Sequence, residues 1–296
     1  MRTASCLCVL LWMTNLADAA EPAAGFTATP LGGSVSVLQG YESNIVVSIG
    51  DDGIVMVDTN VAENAEQLLA ALQRLSNKPI RFAINTHAHG DHTWGNSFFQ
   101  KFAPVISSGN TRQRLATGNE KTRDKPLPPE GLPIITFEGE MTLHLNGEEI
   151  RLMKLPPAHT DGDVVVFFKK ANVVVMGDVY MSPAISFGDR WYGGGMLPLM
   201  AALEHLLPQI PADAKVVPTH GVVSTRADVQ KGLEALKQMK AVAESGIRAG
   251  KTLEQLTAER PFDRFRASFP AWASSDKSLD GWLRDFYREL SAPRTK

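Results

Sequence analysis

A chain of 296 residues with 44% apolar side chains can bury a substantial core, as one large domain or two smaller ones. Its net charge of −2, with both signs mixed along the chain, excludes the basic footprint of a nucleic-acid binder, so a small-molecule substrate is the expected partner. No internal repeat or low-complexity tract interrupts it.

The first residues read as an export signal. Arg2 precedes the apolar run Cys6-Leu7-Cys8-Val9-Leu10-Leu11-Trp12-Met13, and Ala17-Asp18-Ala19 is a small-x-small cleavage site. The run is too short for a stable membrane anchor, which takes roughly 20 apolar residues. Residues 1–19 are therefore expected to be a signal peptide, and the mature protein to be periplasmic or secreted. Cleavage removes Arg2 and Asp18, so the charge stays at −2, and it removes both cysteines, Cys6 and Cys8. A metal site in the mature chain must then be made of nitrogen and oxygen.

Short β-rich runs follow at Ser34–Leu38, Asn44–Ile49 and Gly53–Asp58. Asn60, with Glu63 three residues on, is a plausible cap for a helix carrying Leu68, Leu72 and Leu75 on one face. Ile80–Thr86 reads as a buried strand, and residues 118–133 as a long polar connection. A hairpin of Met141–Leu145 and Glu149–Leu155 turns at Asn146-Gly147. Strands at Asp163–Phe168 and Val173–Met176 precede a glycine-rich loop (182–195), a helix near Leu197–Leu207 and a strand at Lys215–Val217. Thr225-Arg226-Ala227-Asp228 is a capping-box signature opening a helix with Val229, Leu233, Leu236 and Val242 on one side. Helices near 252–258 and 277–290 close the chain. Strands and helices in two similar halves suggest sheets packed together with helices outside.

Five of the seven histidines fall in three compact motifs. Thr86-His87-Ala88-His89-Gly90-Asp91-His92 directly follows a predicted strand. Residues two apart in an extended segment point the same way, so His87 and His89 converge on one ion. A turn at Gly90 frees Asp91 and His92 to face a second. Pro157-Ala158-His159-Thr160-Asp161-Gly162-Asp163 and Pro218-Thr219-His220-Gly221 are weaker alone, and Met176-Gly177-Asp178 reads equally well as a turn. What unites them is position: each lies at the carboxyl end of a predicted strand, where a common site is assembled. His144 and His205 are expected to be structural or superficial.

In the order and spacing of these motifs, the chain resembles the metallo-β-lactamase superfamily over roughly residues 25–250, leaving 251–296 as a helical extension. The resemblance implies a four-layer αβ/βα sandwich, single-domain with extra C-terminal helices. It implies two metal ions, zinc by default with iron or manganese tolerated. His87, His89 and His159 would hold the first ion, Asp91, His92 and His220 the second, with Asp178 bridging. Asp58 matches a family aspartate that supports the metal loop. Zinc β-lactamases usually carry Cys or Ser near Asp178, so the bridging aspartate looks more like the glyoxalase II and sulfur-oxidation-linked hydrolase branches. The flavodiiron branch carries a glutamate where this chain has His89.

Such a ligand set implies hydrolysis of an activated acyl bond, whether lactam, lactone, thioester or ester. A metal-held hydroxide would be the nucleophile and Asp91 would relay the proton. The alternative is a mononuclear-iron oxidoreductase resembling persulfide dioxygenases. Trp94, Trp191 and Tyr192 are the candidate substrate wall.

Overall fold

A computed structural model describes residues 25–41, 43–184, 186–269 and 276–292. The expected export signal at 1–19 lies outside them. Seven strands build the first sheet in sequence order: β1 (Thr27–Gly32), β2 (Val35–Gln39), β3 (Ile45–Gly50), β4 (Gly53–Val57), β5 (Ile80–Ile84), β6 (Val105–Ser108) and β7 (Ile135–Phe137). The first four form an antiparallel meander, and β4 to β7 run parallel. The second sheet also follows sequence order: β8 (Glu140–Leu145), β9 (Glu148–Lys154), β10 (Val164–Phe168), β11 (Val173–Val175), β12 (Lys215–Val217) and β13 (Ser224–Thr225). Only β11 and β12 are parallel there.

Parallel neighbours need crossovers. In the first sheet these are α1 (Ala65–Leu75), the short α2 (Gly90–Thr93) and α3 (Asn96–Phe99), and α4 (Gly109–Thr117); in the second, α5 (Met196–Leu206). After the last strand come α6 (Arg226–Arg248), α7 (Leu253–Glu259) and α8 (Asp276–Ser291).

Side-chain alternation explains the layers. In β10, Val164, Val166 and Phe168 face the other sheet and meet Val37, Val46, Val55 and Ile84. Val165 and Phe167 point the opposite way, into a core shared with Leu203 of α5, Leu233 of α6 and Phe286 of α8. On the outer face of the first sheet, Val47 and Met56 pack against Leu68 and Leu72 of α1. The result is an αβ/βα sandwich with α7 and α8 packed onto its second helical layer. No helix among the described residues is long and apolar enough to cross a membrane.

Two expectations shift. Asn60 does not cap α1; it adopts a left-handed φ of 59°, a 3-10 turn intervenes at Ala62–Asn64, and Asn64 occupies the cap. Leu75, at the last position of α1, is 42% exposed rather than part of the apolar face. The Asn146-Gly147 turn has both φ values positive, as a two-residue hairpin requires, and the Thr225–Asp228 capping box is formed. β6 (Val-Ile-Ser-Ser) and β7 (Ile-Thr-Phe) are too short to show a period in the sequence. The carboxyl ends of β4, β5, β9, β11 and β12 lie along one edge of the sandwich, and Asp58, His87, His159, Asp178 and His220 follow them.

Candidate metal centre

Asp58, fully buried just beyond β4, organises the loop that leaves β5. Its Oδ1 accepts from the Thr86 backbone N–H at 2.8 Å and its Oδ2 from the Thr86 hydroxyl at 2.9 Å. Oδ2 also lies 2.9 Å from His92 Nδ1. His87 Nδ1 is 3.1 Å from Thr86 Oγ1, so both rings are held on one side and turn Nε2 toward the centre. Asn85 and Asn96 exchange amide hydrogen bonds of 3.1 and 2.8 Å across the base of the loop. Gly90 lets the loop close into α2: a Cβ there would fall 2.1 Å from Trp94 Cε2. That single turn carries Asp91 and His92 to the far side of His87.

The second sheet contributes from three strand ends. His159 donates through Nδ1 to the Phe187 carbonyl at 2.7 Å and brings Nε2 to 3.1 Å from His89 Nδ1. Its loop is tied by Asp163, which accepts from the Thr160 N–H and hydroxyl. Asp178 leaves β11 on a 3-10 turn and accepts from Thr219 Oγ1 at 2.6 Å. His220 follows β12, and the Asn44 amide fixes its loop through the carbonyls of Pro218 and Gly221.

All seven expected ligand residues come together in two groups, His87, His89, His159 and Asp178, and Asp91, His92 and His220. Within each group the ligand atoms lie inside 4.8 Å of one another. Asp178 faces both: its Oδ2 is 3.9, 3.7 and 3.4 Å from Nε2 of His87, His159 and His220, and its Oδ1 is 3.6 Å from His92 Nε2. His87, His92 and His159 are anchored at Nδ1 and present Nε2. His89 is reversed: Nε2 lies 3.1 Å from Asp189 Oδ2, leaving Nδ1 to the centre. The site fits divalent ions. His92 Nε2 is buried without a hydrogen-bond partner, because Asp91 Oδ2, 3.1 Å away, is out of line. Imidazoles with carboxylates are the donor set of borderline cations.

The electrostatics divide the same residues. Burial, then the charge on His92, drives the His87 pKa well down. Burial and His89 lower His159 to about 4. Burial also opposes charge on His92, but the carboxylates of Asp91, Asp178 and Asp58 outweigh it and raise the pKa. His220, despite burial, is pushed up to about 10 by hydrogen bonds to Asp178 and Asp91. Asp91 and Asp178 are held well below the usual carboxylate range, since His92 and His220 overcome the cost of burying them. Protons on His92 and His220 thus balance the two carboxylates where cations would.

A cleft of about 340 Å³ opens over Asp91, lined also by His89, Trp94, Asp124, Asp189 and Tyr192. Trp94 is 39% exposed. Tyr192 is buried, its ring edge-on to His89 at 4.4 Å and its hydroxyl bonded to Asp124. Trp191 does not line this cleft, contrary to expectation. Asp189 Oδ1 accepts from the Trp191 N–H, and Gly193 takes a left-handed φ of 79°, so the turn sends Tyr192 inward and Trp191 outward. The Trp191 ring stacks on Arg190 at 4.0 Å and lines a separate groove with Arg284 and Arg288. His144 and His205 are exposed and belong to neither ligand group. Asp189 and Asp124 were not singled out by sequence reasoning. The glycines around Asp189 were the available signal: a Cβ on Gly188 would fall 2.1 Å from Gly195.

A sequence profile of the Metallo-beta-lactamase superfamily matches residues 37–220. A probable metallo-hydrolase of Methanocaldococcus jannaschii is 27% identical over 200 residues, 63% of this chain and 91% of the relative. A type 2 metallo-beta-lactamase of Elizabethkingia meningoseptica is 22% identical over 48% of this chain and 54% of its own length. A hydroxyacylglutathione hydrolase of Methylococcus capsulatus is 26% identical over 61% of this chain and 67% of its own. Among solved structures, a metallo-beta-lactamase from Pontibacter korlensis superposes with a TM-score of 0.62 at 23% identity, covering 72% of this chain and 99% of that one. The DIM-1 metallo-beta-lactamase gives 0.59 at 18% identity, covering 72% and 98%.

Proposed function

The chain belongs to the metallo-beta-lactamase superfamily, and from that membership we propose that it is an exported dinuclear zinc hydrolase of activated acyl bonds. The observation that carries the reading is the pair of ligand groups with Asp178 facing both. In this assignment His87, His89 and His159 would hold one ion and Asp91, His92 and His220 the other, with Asp178, which faces both groups, shared between them. Divalent ions held there supply Lewis acidity and make water a nucleophile near neutral pH.

The chain's own residues supply the rest. Asp91 has the more open carboxylate, with its side chain 29% exposed against 5% for Asp178, and it faces the cleft. It is the group placed to take a proton and pass it to the leaving atom. Tyr192 and Trp94 wall the cleft, so the acyl group enters between them. The scissile bond is a lactam, lactone, thioester or ester. The names of the relatives, a metallo-beta-lactamase and a hydroxyacylglutathione hydrolase among them, fit that range.

The test is elemental analysis of the purified protein together with a panel of chromogenic lactams, lactones and thioesters. Two zinc ions per chain and chelator-sensitive turnover of one class are expected. A single iron at saturating metal supply, with oxygen consumed on a persulfide, would replace this reading. Export is tested by N-terminal sequencing of periplasmic material: a start near Glu21 is expected, and an intact Met1 refutes it.

A further inference from the structure

A second compartment of about 460 Å³ adjoins the metal cleft. Trp94 and Asp124 line both spaces, so the exposed Trp94 ring is common ground between them. Beyond it the walls are Ala62, Pro126 and Leu127, with the side chains of Arg123 and Lys125. An apolar space with two cations at its margin has the chemistry of a site for an apolar group that ends in an anion. Asp124 is the one carboxylate in this lining, and its Oδ2 is already bonded to the Tyr192 and Thr122 hydroxyls. Arg123 and Lys125 are exposed, and neither is ion-paired among the described residues.

The segment that carries these cations is built in place. Asn119 and Asp124 exchange backbone hydrogen bonds of 2.8 and 3.0 Å, closing a tight turn. Within it Arg123 holds a φ of 67°, a region non-glycine residues rarely adopt. The turn is fastened to the loop beside His89 at two points: the Asn119 amide donates to the Trp191 carbonyl at 2.9 Å, and the Tyr192 hydroxyl bonds Asp124. A strained cationic turn tied at two points to the loop over the metal centre is a wall of that cleft, not a free connection.

We propose that the compartment formed by Trp94, Leu127, Arg123 and Lys125 receives the non-reacting end of the substrate, and that this end is an apolar group terminated by an anion. The inference rests on the hydrolase reading only for the word substrate; the subsite itself is tested by binding. Zinc-supplemented protein is titrated calorimetrically with 4-phenylbutyrate, with the neutral 4-phenylbutanamide and with butyrate. The aromatic acid is expected to bind more tightly than either other probe. Trp94→Ala is expected to weaken both aromatic probes about five- to tenfold. The double variant Arg123→Ser/Lys125→Ser is expected to reduce the preference for acid over amide about threefold. If that preference survives in the double variant, the carboxylate is held by the metals and the proposal is overturned. It is equally overturned if Trp94→Ala leaves both aromatic affinities unchanged. Absence of hydrolysis in the lactam, lactone and thioester panel, with these binding effects present, would remove the hydrolase reading and leave the subsite standing.

Discussion

Residues 86–92 bring four ligand-type side chains to the centre from one loop, whereas residues 159–220 bring three from three separate strand ends. The loop has no sheet to hold its interior, so it depends on buried polar partners: Asp58 for Thr86 and His92, and the Asn85–Asn96 pair beneath them. The strand ends depend on register. Val175 pairs with Val217 across parallel β11 and β12, and Asp178 and His220 each lie three residues further on. The Thr219–Asp178 hydrogen bond then ties the two ends together. One half concentrates its positioning in a single carboxylate, and the other spreads it over backbone pairing.

The largest expected effect comes from removing a strand-end ligand itself. His159 is fully buried, with Nδ1 bonded to the Phe187 carbonyl and Nε2 turned to the centre beside His89. His159→Ala is expected to abolish turnover, by at least about a thousandfold, and to lose one ion. Because register rather than His159 holds the strands, its denaturation midpoint should stay close to that of the parent when both are metal-free. Metal content and chemical denaturation measured together check both halves of this expectation.

Asp58→Ala should reverse that pattern. It strands the Thr86 N–H, the Thr86 hydroxyl and His92 Nδ1 in a dry interior, at a cost of about 3–5 kcal/mol in unfolding free energy. Metal affinity should fall as well, although Asp58 faces no ion. Asp58→Asn, with one acceptor retained, should lose less. Equal stability of the Ala variant and the parent would mean that the loop holds itself.

Protons separate the two groups of ligands in a third way. In the metal-free protein His220 has its pKa raised to about 10, so its ring is protonated at neutral pH and a metal must displace that proton. Apparent metal affinity is therefore expected to rise with pH between 6 and 9, by roughly tenfold per unit for each proton released, and to level off above about 10. Stability of the metal-free fold runs the other way. The contribution of His220 is fully present below its unfolded pKa of about 6.5 and is lost as pH rises through about 10. Calorimetry in buffers of different ionisation heat counts the protons. No proton release at pH 7 would contradict the charge assignment.

Legibility in the sequence followed the same division. The loop motif announced itself because four ligand types crowd six positions, and Asp58 was visible as a strand-end aspartate matching the family pattern. His159, Asp178 and His220 became convincing only through their common place after strands. The partners that orient them were not legible: Thr219 and Asn44 are ordinary loop residues until the register brings them beside Asp178 and the His220 loop. Of the three expected wall aromatics, Trp94 and Tyr192 line the cleft and Trp191 does not, because an amphiphilic loop gives no sign of which neighbour turns inward. The Trp191–Tyr192 choice is set by the Asp189 cap and the left-handed Gly193, both properties of the folded backbone.

Asp189 is one point where the two halves touch, and it carries the smallest predicted effect. It belongs to the second half, on the glycine-packed loop after β11, yet it meets His89 of the first-half loop at 3.1 Å. His89 is the one imidazole of its group held at Nε2, and its anchor is a loop carboxylate with its side chain 16% exposed rather than a core residue. A carboxylate there fixes the tautomer and makes the opposite nitrogen a better donor. Asparagine keeps an acceptor in nearly the same place but removes the charge, while alanine removes both. Asp189→Asn is thus expected to weaken the ion held by His87, His89 and His159 a few-fold, and Asp189→Ala by about ten- to a hundredfold, with the other ion little changed. Chelator competition read separately for each ion distinguishes them. Equal losses at both ions would mean that Asp189 acts through the loop as a whole, and the contrast between loop-held and strand-held ligands would not extend to His89.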